Sequence, residues 1–294
     1  MNIKFTRKQP NSHYLEVENG ARKFEFKLAL LSDLHWDNPD CDRDLLKKHL
    51  DYCKNNDIKV LLNGDTFCLM QGKYDPRSNK SKIRPEHNKA NYLDAVVETA
   101  AEWFKPYADI ILLIGYGNHE TSIIKRQETD VIQRFVTLLN HIAKPIIPIE
   151  AGGYGGALSI GLGHSKNNKR TYNIHYFHGS GGGGVVTRGS INITRMLAMV
   201  DGYDCVTMGH VHESKEEVII KNYYNNHSKT IKQREVLGVI TGTYKDEYHE
   251  GQKGWHVERG APPKPLGGRI LTLNYNRPAD GLIDIIAYTN KFPV

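Results

Sequence analysis

Short apolar runs that stop at a glycine- or histidine-bearing turn recur along the chain. Residues 24–31 (FEFKLALL) end at Ser32-Asp33-Leu34-His35. Residues 58–62 end at Asn63-Gly64-Asp65, and residues 109–114 end at Gly115-Tyr116-Gly117-Asn118-His119-Glu120. Residues 172–177 end at His178-Gly179, and residues 204–208 end at Gly209-His210-Val211-His212. Runs this short, rich in β-formers and bounded by turns, predict buried strands. Between them the apolar spacing becomes helical. Asp42 is placed to cap a helix carrying Leu45, Leu46, His49, Leu50 and Cys53. Residues 92–104 and 131–142 repeat that spacing. Alternating strands and helices predict an α/β core with parallel pairing. The C-terminal third differs: residues 217–221, 235–241, 269–273 and 283–288 read as strands without helices between them. They predict a second sheet packed on the first, with the Gly- and Pro-rich stretch 260–268 as a loop.

Composition narrows the class. The chain has 294 residues, 39% apolar and 24% charged, which excludes disordered, collagen-like and low-complexity readings. That length can bury a core without disulfides or structural metals. Lys and Arg number 39 against 33 Asp and Glu, a charge of +6 that permits an anionic partner without demanding one. Residues 1–10 carry Lys4, Arg7 and Lys8 but no apolar stretch of the export type. No apolar run approaches the roughly 18 residues of a membrane span. Cys41, Cys53, Cys68 and Cys205 form no CxxC pair, so a cytoplasmic protein with reduced thiols is expected.

The chemistry lies in the turns. Asp33, His35, Asp65, Asn118, His119, His178, His210 and His212 all follow an apolar strand, at the rim where open α/β sheets bind ligands. Five of the 14 His are in that set. Imidazole, carboxylate and amide oxygen suit divalent first-row metals, and no thiolate belongs to the set. The donors are too many for one ion, and two ions bridged by a carboxylate use them economically. Asp33-x-His35 and His210-x-His212 put alternate residues on one side of an extended turn.

The ordered blocks Asp33-x-His35, Gly64-Asp65, Gly117-Asn118-His119-Glu120, His178-Gly179 and Gly209-His210-x-His212 resemble the calcineurin-like metallophosphoesterases. The resemblance covers about residues 28–245 of a single 1–294 domain, with 246–294 expected to complete the second sheet. It implies a four-layer α/β/β/α sandwich around two mixed sheets. It also implies two divalent metal ions, with Mn²⁺ preferred and Fe, Zn, Ni, Co or Mg as alternatives. One ion would be held by Asp33, His35, Asp65 and His212, the other by Asp65, Asn118, His178 and His210, with Asp65 bridging. A hydroxide made at neutral pH between the ions would attack phosphorus in line. Asp65 and His119 would be the catalytic pair. His119 is either the general acid or a transition-state stabiliser, with a hydrogen bond to Asp33 or Asp65 as the structural alternative.

The substrate is less legible. Protein Ser/Thr phosphatases of the superfamily carry a Gly-Asp-x-x-Asp-Arg-Gly block and an Arg before Gly-Asn-His. This chain has Gly64-Asp65-Thr66-Phe67-Cys68-Leu69-Met70 and Tyr116 there. Gly-Asp-x-Phe looks more like the DNA-repair exonuclease branch, and the 254–268 tail is similar to phage phosphoesterases. A phosphodiester, DNA or RNA, is therefore expected, with a phosphomonoester as the alternative and a non-catalytic module third. Asn118, His119, Arg188 and Arg195 are candidate substrate contacts. The basic stretch 72–87, with Lys73, Arg77, Lys80, Lys82 and Arg84, reads either as a polyanion-binding loop or as a solvated surface. The glycine run 179–184 reads either as a phosphate or metal approach or as a plain turn. His175 and Trp36 are expected to be structural. No membrane association is expected, and the chain is taken as a monomer or homodimer.

Overall fold

The apolar runs form the strands they predict, and their alternating faces sort them into layers. The computed structural model describes residues 1–70, 77–165, 168–249, 255–258, 260–279 and 282–293. In chain order the elements are β1 (Asn2–Gln9), β2 (Ser12–Glu18), β3 (Lys23–Leu31), α1 (Arg43–Asn55), β4 (Lys59–Leu62), α2 (Tyr92–Phe104) and β5 (Ile111–Ile114). Then come α3 (Asn118–Gln127), α4 (Val131–Ala143), β6 (Glu150–Ala151), β7 (Gly155–Ser165), β8 (Asn168–Phe177), α5 (Ser190–Met199) and β9 (Cys205–Met208). The chain continues through β10 (Lys215–Asn225), β11 (Thr230–Ile240), α6 (Trp255–Glu258), β12 (Arg269–Asn276) and β13 (Asp284–Lys291).

Two mixed sheets result, in the orders β13-β12-β3-β4-β5-β6 and β1-β2-β7-β8-β9-β11-β10. Strand period decides which side chain enters which layer. Leu28, Leu30 and Leu61 point between the sheets and meet Leu158, Ile160, Ile174 and Val239. Their neighbours Ala29, Leu31, Val60 and Leu62 point the other way, onto Leu46 and Leu50 of α1, Val96 and Phe104 of α2, and Phe135 of α4. Ile193 and Leu197 of α5 cover Val206, Met208 and Ile240 on the far face of the second sheet. The molecule is therefore an α/β/β/α sandwich with two mixed sheets. No helix among the described residues is long and apolar enough to cross a membrane.

The expected division of strands between sheets needs correction. β3, β4 and β5 are parallel neighbours, but β8 and β9, expected beside them, pair with each other in the opposite sheet. The C-terminal strands also divide. β10 and β11 join β9, whereas β12 and β13, within the segment 246–294, complete the first sheet, where β12 runs antiparallel to β3. The reason is burial. β12 carries Ile270, Leu271, Leu273 and Tyr275, apolar on both faces, and only an interior position beside β3 covers both.

Candidate metal centre

Every proposed ligand sits at the C-terminal end of its strand, as the sequence pattern predicts. Asp33 and His35 follow β3, Asp65 follows β4, and Asn118 opens α3 just after β5. His178 follows β8, and His210 and His212 follow β9. The first four come from one sheet and the last three from the other, so the centre lies across the seam of the sandwich. Asn63 ties that seam. Its amide donates to the carbonyls of Phe177 (3.0 Å) and Thr207 (3.4 Å), while its own carbonyl, 2.9 Å from His178 Nδ1, accepts from that ring.

The local backbone differs from the extended turns expected. Asp33, His35, Asp65, His210 and His212 all lie in the left-handed region. Alternate residues still face one centre, but through tight loops rather than extended chain. The motif glycines have steric reasons. Gly64 has φ +83, and a Cβ there would strike His178 Nδ1. A Cβ on Gly117 would overlap the Asp65 carboxylate.

Two triads emerge, Asp33/His35/His212 and Asp65/His178/His210, each with its ligand atoms within 4.8 Å of one another. Asp65 connects them. Its Oδ2 is 3.3 Å from His178 Nε2 and 4.0 Å from His35 Nε2. Asn118 Oδ1 lies 3.2 Å from His178 Nε2. Across the other triad, His212 Nε2 is 3.2 Å from Asp33 Oδ1 and 3.4 Å from His35 Nε2. Asp33 Oδ1 is fully buried, with the His212 ring 3.2 Å away as its counter-group. A buried anionic oxygen of this kind calls for a cation. The donor set of imidazoles, carboxylates and one amide therefore fits divalent metal ions.

Electrostatics agree with that fit. Burial pushes His35 well below its ordinary pKa, with His119 adding to the effect, so the ring is neutral and free to ligate. Burial and His178 likewise lower His210. Burial alone would raise Asp65, but His178, His119 and His35 hold it well below the usual carboxylate range. For Asp33, burial again acts upward and is outweighed by His212. His178 is the exception among the imidazoles. Burial works against its charge, yet Asp65, Asp33 and the Asn63 carbonyl raise it to about 10.

His119 stands beside the triads. Its Nδ1 hydrogen-bonds the Cys68 carbonyl at 2.5 Å and its Nε2 is 3.9 Å from Asp65 Oδ2. The backbone N–H of His119 donates to Asp65 Oδ1 at 3.0 Å. The hydrogen bond to Asp65 expected of a structural His119 is thus made by its main chain. That leaves Nε2 facing the centre.

The two candidate substrate arginines belong to neither triad. Arg188 is exposed on the loop before α5, next to Gly189, which lies against Val211 between His210 and His212. Arg195 is exposed further along α5. In the basic stretch, Lys82 pairs with Asp40 at 2.6 Å, and Arg84 donates to the Asn38 and Cys41 carbonyls. Those two cations brace the loop, while Lys73 lies outside the described residues. Tyr116 turns to Asp130, to which its hydroxyl donates at 2.8 Å. Trp36 is buried under the Arg43 guanidinium, 3.8 Å from the ring centroid. His175 packs on Tyr203, away from the rim.

Three residues escaped the sequence reading. Glu120 is wholly buried and accepts from the backbone N–H groups of Asp65 (3.2 Å), Phe67 (3.0 Å) and Gly117 (2.8 Å). Lys245, paired with buried Glu247 at 3.0 Å, sets a positive charge close enough to depress His35 and His119. Cys68 places its sulfur beside His35 and His119. The final Glu of Gly-Asn-His-Glu was a usable signal for Glu120. Nothing in the spacing pointed to Lys245, which arrives from the end of β11.

No family model matches the sequence, and no curated protein matches it. Solved structures give distant likenesses. Vps29 of Chaetomium thermophilum is 13% identical, with 92% of this chain and 98% of that one covered and a TM-score of 0.34. GAP50, the anchor in the inner membrane complex of Plasmodium, is 10% identical over 92% of this chain and 89% of that one, with a TM-score of 0.39. A hypothetical protein from Thermus thermophilus is 10% identical over 91% of this chain and all of that one, with a TM-score of 0.29. Superpositions this loose add nothing to the reading of the site.

Proposed function

We propose that the protein is a binuclear metal-dependent phosphoester hydrolase acting on phosphodiesters, with a nucleic acid as the preferred substrate. One observation carries this reading: two donor triads, each built from both sheets, are linked through Asp65, whose Oδ2 lies 3.3 Å from His178 Nε2 in its own triad and 4.0 Å from His35 Nε2 in the other. Asp33, His35, Asp65 and His212 would hold one divalent ion, and Asp65, Asn118, His178 and His210 the other. Manganese leads the candidates, because the set mixes hard oxygen and imidazole donors. Such ions would supply Lewis-acid activation of water and neutralise charge on the phosphoryl group.

The protein's own groups do the rest. His119, its Nδ1–H donated to the Cys68 carbonyl and its pKa lowered by burial, faces the centre through Nε2, which would take up a second proton and deliver it to the leaving oxygen. Asn118 orients a non-bridging oxygen from the start of α3, where the helix dipole favours negative charge. Arg188 at the rim is placed to meet a flanking phosphate. Tyr116 offers no cation at the position before Gly117, which suits a singly charged diester. A phosphomonoesterase is the second reading, with Lys245, a cation close enough to depress His35 and His119, already paired to Glu247.

Hydrolysis of bis-p-nitrophenyl phosphate and p-nitrophenyl phosphate with Mn²⁺ tests the choice, followed by labelled single- and double-stranded oligonucleotides. The diester is expected to be the better substrate. Turnover of the monoester alone would overturn the diesterase reading. Asp65→Asn is expected to lower either rate at least about a hundredfold, the scale of losing one electrostatic catalytic group. Undiminished turnover in that variant would remove Asp65 from the centre.

A further inference from the structure

Cys68 belongs to no ligand set derived above, yet it stands at the edge of the centre. Its Sγ and one ring nitrogen each of His35 and His119 all lie within 4.8 Å of one another. We propose that His35, Cys68 and His119 form a further site, overlapping the first triad at His35, for a thiophilic cation of the Cd²⁺ or Zn²⁺ class.

The loop that carries the thiol is fixed by hydrogen bonds, one of them to the sulfur itself. Asp37 accepts from the backbone N–H groups of Cys68 (2.5 Å) and Leu69 (2.9 Å), and the Tyr92 hydroxyl donates to the same carboxylate at 2.9 Å. Asn38 Nδ2 donates to Cys68 Sγ at 3.1 Å. His119 Nδ1 is engaged by the Cys68 carbonyl, which leaves Nε2 as its ligating nitrogen. A preformed shell of this kind is what a metal site requires. Metal–sulfur bonds of about 2.3 Å and metal–nitrogen bonds of about 2.0–2.1 Å then need only small side-chain shifts to close on one ion.

Donor type separates this site from the two triads. Oxygen and imidazole sets accept manganese, whereas a thiolate with two imidazoles selects cadmium, zinc or copper(I). Binding exchanges the thiol proton for the metal: Cys–SH and M²⁺ give Cys–S–M⁺ and H⁺, with no change of oxidation state. Cys41, Cys53 and Cys205 are also buried, but among the described residues only Cys68 has two such partners.

Occupation has a consequence that rests on the hydrolase reading. The site borrows His35 from one triad and engages His119, the proton donor of the proposed reaction. A soft cation there would inhibit, while manganese would not compete for the sulfur.

The full-length, metal-free protein titrated with Cd²⁺ tests the site through the ultraviolet sulfur-to-cadmium charge-transfer band, which the sulfur-free triads do not give. One saturating band is expected in the native protein. Cys68→Ser should abolish it, and His119→Asn, which keeps the thiol, should weaken cadmium affinity more than about tenfold. Absence of the band, its persistence in Cys68→Ser, or unchanged affinity in His119→Asn would each overturn the site. If Cys68→Ser does not fold, His119→Asn decides alone. Cadmium inhibition of diester hydrolysis over the same concentration range, relieved in Cys68→Ser, supports the inhibitory role. A normal band with no inhibition overturns that role, and a normal band with no hydrolysis in any metal refutes the hydrolase reading while upholding the site.

Discussion

Asp33, His35, Asp65, His210 and His212 hold φ angles between 46° and 68°, a region that costs a non-glycine residue about 1–2 kcal/mol. Strain on five ligand residues persists only if the surroundings over-determine them. Hydrogen bonds do so here. Asp33 N–H donates to the Gly64 carbonyl at 3.1 Å, His35 N–H to the Asp65 carbonyl at 3.0 Å, and His210 N–H to Asp33 Oδ2 at 2.9 Å. Glu120 closes the arrangement by gathering three backbone donors from two loops. Replacing it with Ala would leave those buried N–H groups without an acceptor. Glu120→Ala is therefore expected to cost on the order of 3 kcal/mol or more, read as a lower urea midpoint with an unchanged slope. Glu120→Gln keeps an acceptor oxygen and should lose distinctly less. Equal losses would mean that the carboxylate does not organise the Asp65 turn. This role was only half legible in the sequence. The Gly-Asn-His-Glu block pointed to His119, but an acceptor for N–H groups in a loop far back along the chain follows only once β4 and β5 are paired.

Elements were legible where one face is strongly apolar. α2 and α4 appear where the 3.6-residue spacing places them, and α1 begins after the cap at Asp42, whose side chain accepts from Leu45 N–H at 2.8 Å. α3 was missed because it buries only Glu120 and Ile123 and otherwise reads as polar turn. α5 buries three residues and follows a glycine run that masks its start. Strand partners were not legible, since β3–β12 and β2–β7 pairing depends on crossovers that local pattern does not encode. Caps nevertheless allow a quantitative comparison between two helices. Asp42 makes a cap bond alone, whereas Asp130 caps α4 through Gln133 N–H at 2.9 Å and also accepts the Tyr116 hydroxyl. Asp42→Ala should cost about 1 kcal/mol. Asp130→Ala should cost about twice that, because the half-buried Tyr116 hydroxyl loses its partner as well. Denaturant midpoints of the two variants check the order, and a smaller loss for Asp130→Ala would place the Tyr116 bond outside the folded-state balance.

At the scale of the whole molecule, the centre is where the two sheets meet. Asp33, His35, Asp65 and Asn118 come from the β3–β5 edge, and His178, His210 and His212 from the β8–β9 edge. Between the sheets, contact is largely apolar, with polar ties from Asn63 to the ends of β8 and β9, from His210 N–H to Asp33, from Ser32 to Thr241 and from Arg269 to Glu216. Cations at the rim would therefore act as a clamp between layers, as well as neutralising two buried carboxylates. Because the triads exist only in the folded chain, metal binding adds to stability by linkage. At a free metal concentration about a hundred times the dissociation constant, each site contributes about 2.7 kcal/mol. Chelation should lower the melting temperature, and restoring Mn²⁺ should recover it. Hydrogen exchange should locate the loss at the strand ends bearing His178 and His210, because these face the seam rather than the helical layer. Asp65→Asn should respond less to chelation than the native protein, since it weakens both sites at once. A melting temperature indifferent to metal in the native chain would mean that the polar ties and apolar packing hold the seam without a cation, and that the His212 ring suffices as partner to the buried Asp33 carboxylate.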